Sequence, residues 1–188
     1  VRRFADTLVP VERWPLTPST DIPLPAADLQ RLVDAAAGAR KGGIDLFTAT
    51  DRHLAAAALS HSGKIYRAAG ADDAAFHYRY PVGGVLQQAA TEGDYFLRAV
   101  VVMGKPGTWP AISYRDRQYG FEYSSFNLKQ GKKPIVLIVG DGRGQFRLTT
   151  FEAALPEAFS TSSFLPGRVD RFLRDRATPL EPTPVKKK

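Results

Sequence analysis

Apolar positions recur with two different periods along this chain, and the period decides which elements are predicted. Over residues 26–40 the spacing predicts a helix: Leu29, Leu32, Val33 and Ala36 share a face, and Gly42-Gly43 stops it. A second helix is predicted over 51–61, with Thr50 as N-cap, Leu54, Ala55, Ala58 and Leu59 as its packing face, and Gly63 as its stop. Period-two stretches rich in β-branched and aromatic residues predict strands at 44–48, 64–68, 76–80, 95–103, 111–114, 120–128, 134–139 and 145–149. Gly, Pro and Asp clusters separate them. A short final helix is predicted over 167–176, with Val169, Phe172 and Leu173 facing inward.

The clearest local signal is a hairpin. An apolar strand at 134–139 leads into Gly140-Asp141-Gly142-Arg143-Gly144, and a second alternating run follows. Asp-Gly supplies the positive φ angles that a tight hairpin needs. The same glycines could be read as a phosphate loop. That reading needs a helix directly afterwards, and Phe146-Arg147-Leu148-Thr149 alternates like a strand instead.

The ends differ from the middle. Pro10, Pro15, Pro18, Pro23 and Pro25 predict an extended arm over 1–25, because proline lacks an amide hydrogen and disfavours helix at the residue before it. Trp14, Leu16, Ile22 and Leu24 are its candidate anchors. Residues 177–188 read as a flexible basic tail, which leaves one globular domain over 26–176. Helices come first and strands then follow with short turns. The predicted class is α+β: N-terminal helices, a largely antiparallel sheet that closes partly into a barrel, and a short C-terminal helix.

Composition narrows the chemistry. With 44% hydrophobic residues, the chain of 188 residues can bury a substantial core. There is no apolar run long enough to span a bilayer. The absence of cysteine excludes disulfides, thiolate metal ligands and cysteine nucleophiles. A chain so poor in sulfur leans slightly towards an exported, periplasmic setting. The net charge of +7 is uneven: residues 1–94 hold 10 basic and 11 acidic side chains, residues 95–188 hold 16 and 8. A one-signed half concentrates partners of opposite charge.

The three histidines, His53, His61 and His77, do not have the spacing of three or four that puts two rings on one helix face, so no metal site is expected. His77 alternates with the aromatics of its strand and is an exposed candidate base. The carboxylates Asp116, Glu122, Glu92 and Asp94 do acid–base work only if folding pairs them. No cofactor is implied. Gly-x-Ser-x-Gly is absent, so a hydrolase elbow is excluded.

The basic aromatic segment from Tyr114 to Phe126, followed by Lys129, Lys132 and Lys133, carries more. Aromatic rings stack on unpaired bases while nearby cations follow the phosphates. Arg117, Tyr119, Gly120 and Phe121 resemble the strand signature of the RNA-recognition motif, from which Gln118, Glu122 and Ser124 depart. Read as a strand, the segment puts Tyr119, Phe121 and Tyr123 on one face. Arg168, Arg171 and Arg174 share a face of the final helix, and Lys186–Lys188 extend the basic edge.

Two short fragments resemble the ADP-ribosyltransferase toxin family. Ile65-Tyr66-Arg67 is similar to its strand-borne arginine, and Ser160-Thr161-Ser162 to its Ser-Thr-Ser strand. The resemblance implies that Arg67 orients NAD. The family's Glu-x-Glu is absent: Glu181 alone follows the serines.

The expected function is therefore a non-catalytic binding or assembly domain. Its basic C-terminal half would contact nucleic acid or an acidic protein through Arg115, Arg117, Lys129, Lys132, Lys133, Arg168, Arg171 and Arg174, with Tyr119, Phe121 and Tyr123 as stacking residues. The alternatives are an enzyme with a dispersed site, in its named form an ADP-ribosyltransferase-like toxin, and an exported structural domain without a polyanion partner.

Overall fold

The structure, a computed structural model, describes residues 17–18, 22–44, 53–72, 78–155 and 167–177. The chain divides into two units, residues 1–158 and 159–188.

In the first unit, helix α1 (Ala26–Arg40) precedes strands β2 (Ala55–Ser60) and β3 (Ile65–Ala69). The two-residue strands β4 (Ala71–Asp72) and β5 (Tyr78–Arg79) then lead into α2 (Pro81–Thr91) and β6 (Leu97–Met103). Helix α3 (Tyr114–Lys129), β7 (Val136–Gly140) and β8 (Phe146–Thr150) complete it, and a short edge strand β1 (Thr17–Pro18) joins β8. The main sheet runs β1-β8-β7-β6-β2-β3, five full strands plus that edge. Its neighbours pair antiparallel except β6 and β7, which are parallel. A parallel pair needs a long crossover, and α3 supplies it.

Each face of the sheet is covered. Ala57, Leu59, Ala99, Val101 and Ile138 form one buried cluster with Leu32 and Ala36 of α1. Ala56, Ala58, Val100, Val102, Leu137 and Val139 form the other, with Val82, Val85, Leu86 and Ala89 of α2. Burying each large aliphatic side chain of that α2 face stabilises the fold by about 1.5–3 kcal/mol. The sheet is open, a mixed α/β layer and not a mostly antiparallel barrel.

Several expectations need correction. Residues 55–60, predicted as helix, form a central strand. Every residue of β2 is buried, because helices cover both sheet faces, so the period-two alternation that marks a half-exposed strand is absent. The predicted strand at 120–128 lies inside α3, and of the predicted strand at 111–114 the first three residues lead into that helix and Tyr114 begins it. Helix α2 was not predicted, and with α3 it interrupts the expected run of strands joined by short turns. The strand signature shared with the RNA-recognition motif falls on a helix, where Tyr119, Phe121 and Tyr123 cannot share one face.

Other expectations hold. Leu29 and Val33 pack with Leu32 and Ala36, and Ile22 and Leu24 of the arm pack against the same cluster. Trp14, Leu16, most of the predicted strand at 44–48 and the tail after residue 177 lie outside the described residues. In the second unit α4 (Arg168–Ala177) buries Val169 and Leu173 and exposes Arg168, Arg171 and Arg174.

The hairpin forms as expected. Strands β7 and β8 pair from Val136↔Thr150 to Gly140↔Phe146. The Asp141 carboxylate accepts from the Arg143 amide at 2.8 Å and the Gln145 amide at 3.0 Å. Gly142 has a φ of +73°, and a Cβ there would sit 3.0 Å from Pro106 Cα. Gly142→Val should cost about 1 kcal/mol or more. A melting temperature equal to wild type would contradict this turn geometry.

Candidate functional site

Asp116 is the chemical centre of the first unit. Ser113 caps α3, its hydroxyl accepting from the Asp116 amide at 3.0 Å. That cap fixes Asp116 in the first turn of α3 and aims its carboxyl at the start of α2. There Oδ1 accepts from the Gly83 amide at 2.8 Å. The N-cap residue of α2, Tyr80, offers no side-chain cap, so an aspartate from another helix does that work.

Asp116 is only 3% exposed. Burial raises its pKa to about 6, against the opposing pull of the Gly83 and Val82 amides and the Arg115 charge. A carboxyl of this kind is divided between both protonation states near neutral pH, the range suited to acid–base catalysis.

Asp116 opens onto a cleft of about 1700 Å³ whose walls come from β3 to β5, α2 and the first turns of α3. Tyr78, Tyr80, Tyr114, Tyr119 and Tyr123 line it, together with Arg79 and Arg115. Tyr78 and Tyr80 pack edge to face, with ring centroids 4.8 Å apart. The Tyr123 hydroxyl donates to the Leu86 carbonyl at 3.0 Å, tying α3 to α2 across the cleft.

The buried polar side of α3 holds the helix in place. Arg117 donates to the Ala154 carbonyl at 2.9 Å, and Asn127 Nδ2 donates to the Leu97 and Lys133 carbonyls. Ser124 accepts from the Ile135 amide at 2.9 Å.

Within the first unit the predicted polyanion residues are spread along α3 and past its end. Arg115 is exposed at the N-terminal end of α3, whereas Arg117 is buried at 8% exposure and serves packing. Lys129 is exposed at the far end of α3, about 20 Å from Arg115 at 1.5 Å of helix rise per residue, and Lys133 is exposed beyond that helix. Lys132 lies over the Phe96 ring. Of the expected stacking residues, Tyr119 and Tyr123 line the cleft while Phe121 packs into the core.

The other candidates do not converge on Asp116. Glu122 accepts from Gln118, Glu92 pairs with Lys64, and Asp94 accepts from Ser62 and Tyr66. Arg67 lies exposed on β3. His77 and Ser160–Ser162 fall outside the described residues. No helix among the described residues is long and apolar enough to cross a membrane.

No family model matches the sequence, and no curated protein matches it either. Solved structures do. The cytidine deaminase from Burkholderia pseudomallei aligns at 22% identity with a TM-score of 0.59, covering 69% of this chain and 98% of that one. A mutant cytidine deaminase from Mycobacterium tuberculosis aligns at 20% identity and TM-score 0.57, covering 72% and 98%. The enzyme from Mycobacterium leprae aligns at 16% identity and TM-score 0.53, covering 73% and 100%.

This likeness overturns the expectation of a non-catalytic binding or assembly domain: the solved structures that share the fold are themselves enzymes. It also displaces the ADP-ribosyltransferase resemblance. Zinc deaminases hold their ion with one His and two Cys, or three Cys, in an H-x-E and P-C-x-x-C pattern. Here cysteine is absent, and the residues two after His53, His61 and His77 are Ala55, Gly63 and Arg79. No group of three His, Asp or Glu among the described residues could hold a metal. The side chains present do not fit that zinc site. The chain shares the fold of the cytidine deaminases without their zinc donors, and places a buried aspartate where α2 meets α3.

Proposed function

We propose that this chain is a metal-independent enzyme acting on a pyrimidine-type ring in the cleft between α2 and α3, with Asp116 as its general base. The observation that carries the reading is a buried carboxyl with a pKa of about 6, opening onto a cleft walled by tyrosines. The fold likeness to cytidine deaminases supports the choice of ring.

In this reading the reaction is hydrolytic loss of a ring amine. As a carboxylate, Asp116 takes a proton from a water molecule whose oxygen adds to the ring carbon. Addition opens the ring C=N bond; the exocyclic carbon–nitrogen bond then breaks, the same proton leaves with the departing ammonia, and the hydroxyl proton passes to the ring nitrogen as the carbonyl forms. The Gly83 and Val82 amides and the Arg115 charge favour the ionised form that this requires. The tyrosine faces stack on the ring and hold it in reach of the carboxyl.

The test is turnover of a panel of aminopyrimidine nucleosides and nucleotides by chelator-treated protein, followed from pH 4.5 to 8.5. kcat/KM should rise through about pH 6 and then level, because the ionised form is the base. Chelator should leave the rate unchanged. Absence of turnover across the panel, or activity that disappears with chelator, would overturn the proposal.

A further inference from the structure

The cleft carries more positive charge than an uncharged nucleoside requires. Arg79, on β5, and Arg115, in the first turn of α3, both line it and both are exposed. Neither makes a hydrogen bond or ion pair within the described residues. Asp116 is the one carboxylate among the described lining residues, and its Oδ1 is already held by the Gly83 amide. Two exposed guanidinium groups therefore line a tyrosine-walled cleft, and among the described residues neither is held in a salt bridge, although the Arg115 charge acts on the neighbouring Asp116 carboxyl.

Guanidinium groups bind phosphate oxygens through paired N–H donors. The tyrosines select for a flat ring, and the arginines select for an anionic group attached to it. We infer that the ligand of this cleft is a nucleotide, its ring against the tyrosines and its phosphate between Arg79 and Arg115. This rests on the pyrimidine reading above and narrows it from nucleoside to phosphorylated nucleoside. The Arg115 charge would then serve twice, holding the phosphate and favouring the ionised form of its neighbour Asp116.

Calorimetric titration of the full chain at pH 7.5 tests this with cytidine, its 5′-monophosphate and inorganic phosphate. The monophosphate should bind at least tenfold more tightly than the nucleoside, and inorganic phosphate should bind far more weakly than either. Arg79→Gln and Arg115→Gln should each remove most of the monophosphate's advantage. Both arginines are exposed, so circular dichroism should show the variants folded. Raising the salt concentration should reduce the advantage as well.

Equal affinity for nucleoside and monophosphate would overturn the inference while leaving the pyrimidine reading intact. So would an advantage that survives in both arginine variants, or inorganic phosphate binding as tightly as the nucleotide. Failure of both nucleoside and nucleotide to bind would overturn the pyrimidine reading itself.

Discussion

Asp116→Asn should stabilise the protein at neutral pH and abolish most of its turnover. The two effects have one cause. The carboxyl's pKa is about 6 in the folded protein against 3.8 for a freely exposed aspartate, and the largest cause is burial. A raised pKa means that the folded state holds its proton longer than the unfolded chain does. The stability associated with the neutral form is complete below the unfolded value. It declines as pH rises from about 4 and is gone above about 6.

At 1.36 kcal/mol per pKa unit, this amounts to about 3 kcal/mol as an order of magnitude. Asparagine resembles the neutral acid and keeps an oxygen to accept from the Gly83 amide. The variant and wild type should therefore melt alike near pH 4 and diverge towards pH 8, with the variant higher. Its kcat should fall by about 100-fold or more, because an amide cannot act as a base. Denaturant titrations at both pH values check the first effect, and turnover checks the second. A variant less stable than wild type at pH 8 would show that the ionised carboxylate is a net stabilising cap.

Gly120→Ala should cost about 3 kcal/mol, at the upper end of ordinary overpacking. Gly120 lies mid-helix in α3, fully covered, and a Cβ there would fall 2.2 Å from the Phe151 ring, which is itself completely buried. Alanine normally strengthens a helix by up to about 1 kcal/mol over glycine, so the sign of the result is diagnostic. The clash exceeds that gain because Phe151 is enclosed by the core and cannot swing aside. Since α3 carries Asp116, a shifted helix should also weaken ligand binding. Thermal melting should show a drop of about 6–12 °C for a chain of this size. An unchanged or higher melting temperature would contradict the packing of α3 on Phe151.

How much of this was legible in the sequence follows from what each element faces. Helix α1 lies against one sheet face, so its apolar stripe at Leu29, Leu32, Val33 and Ala36 carried a clean helical period. The β7–β8 hairpin was marked by Asp141-Gly142, whose backbone requirement is local. Strand β2 was misread because both its faces are buried. An alanine-rich run buried all round has no alternation to distinguish it from a helix.

Helix α3 was misread for a different reason. Its polar residues Arg117, Ser124 and Asn127 point inward to clip other elements, so the usual apolar face is broken. The signal that could have found it is the capping pattern Ser113-x-x-Asp116. That same pattern marks the site. Helix α2 was hidden by Gly83-Gly84. Yet Pro81 at its start, with Val82, Val85, Leu86 and Ala89 at helical spacing, was readable. What the sequence could not give was the meeting of Gly83 and Asp116, 33 residues apart, which only the packing of two helices creates.

The most direct test of the account is the titration of the Asp116 carboxyl itself, followed by carbon-13 NMR on selectively labelled protein and assigned with Asp116→Asn. The midpoint should lie near pH 6, and saturating cytidine 5′-monophosphate should displace it. A midpoint in the ordinary aspartate range near 4, unmoved by the nucleotide, would contradict the account of Asp116 as the working group of this cleft.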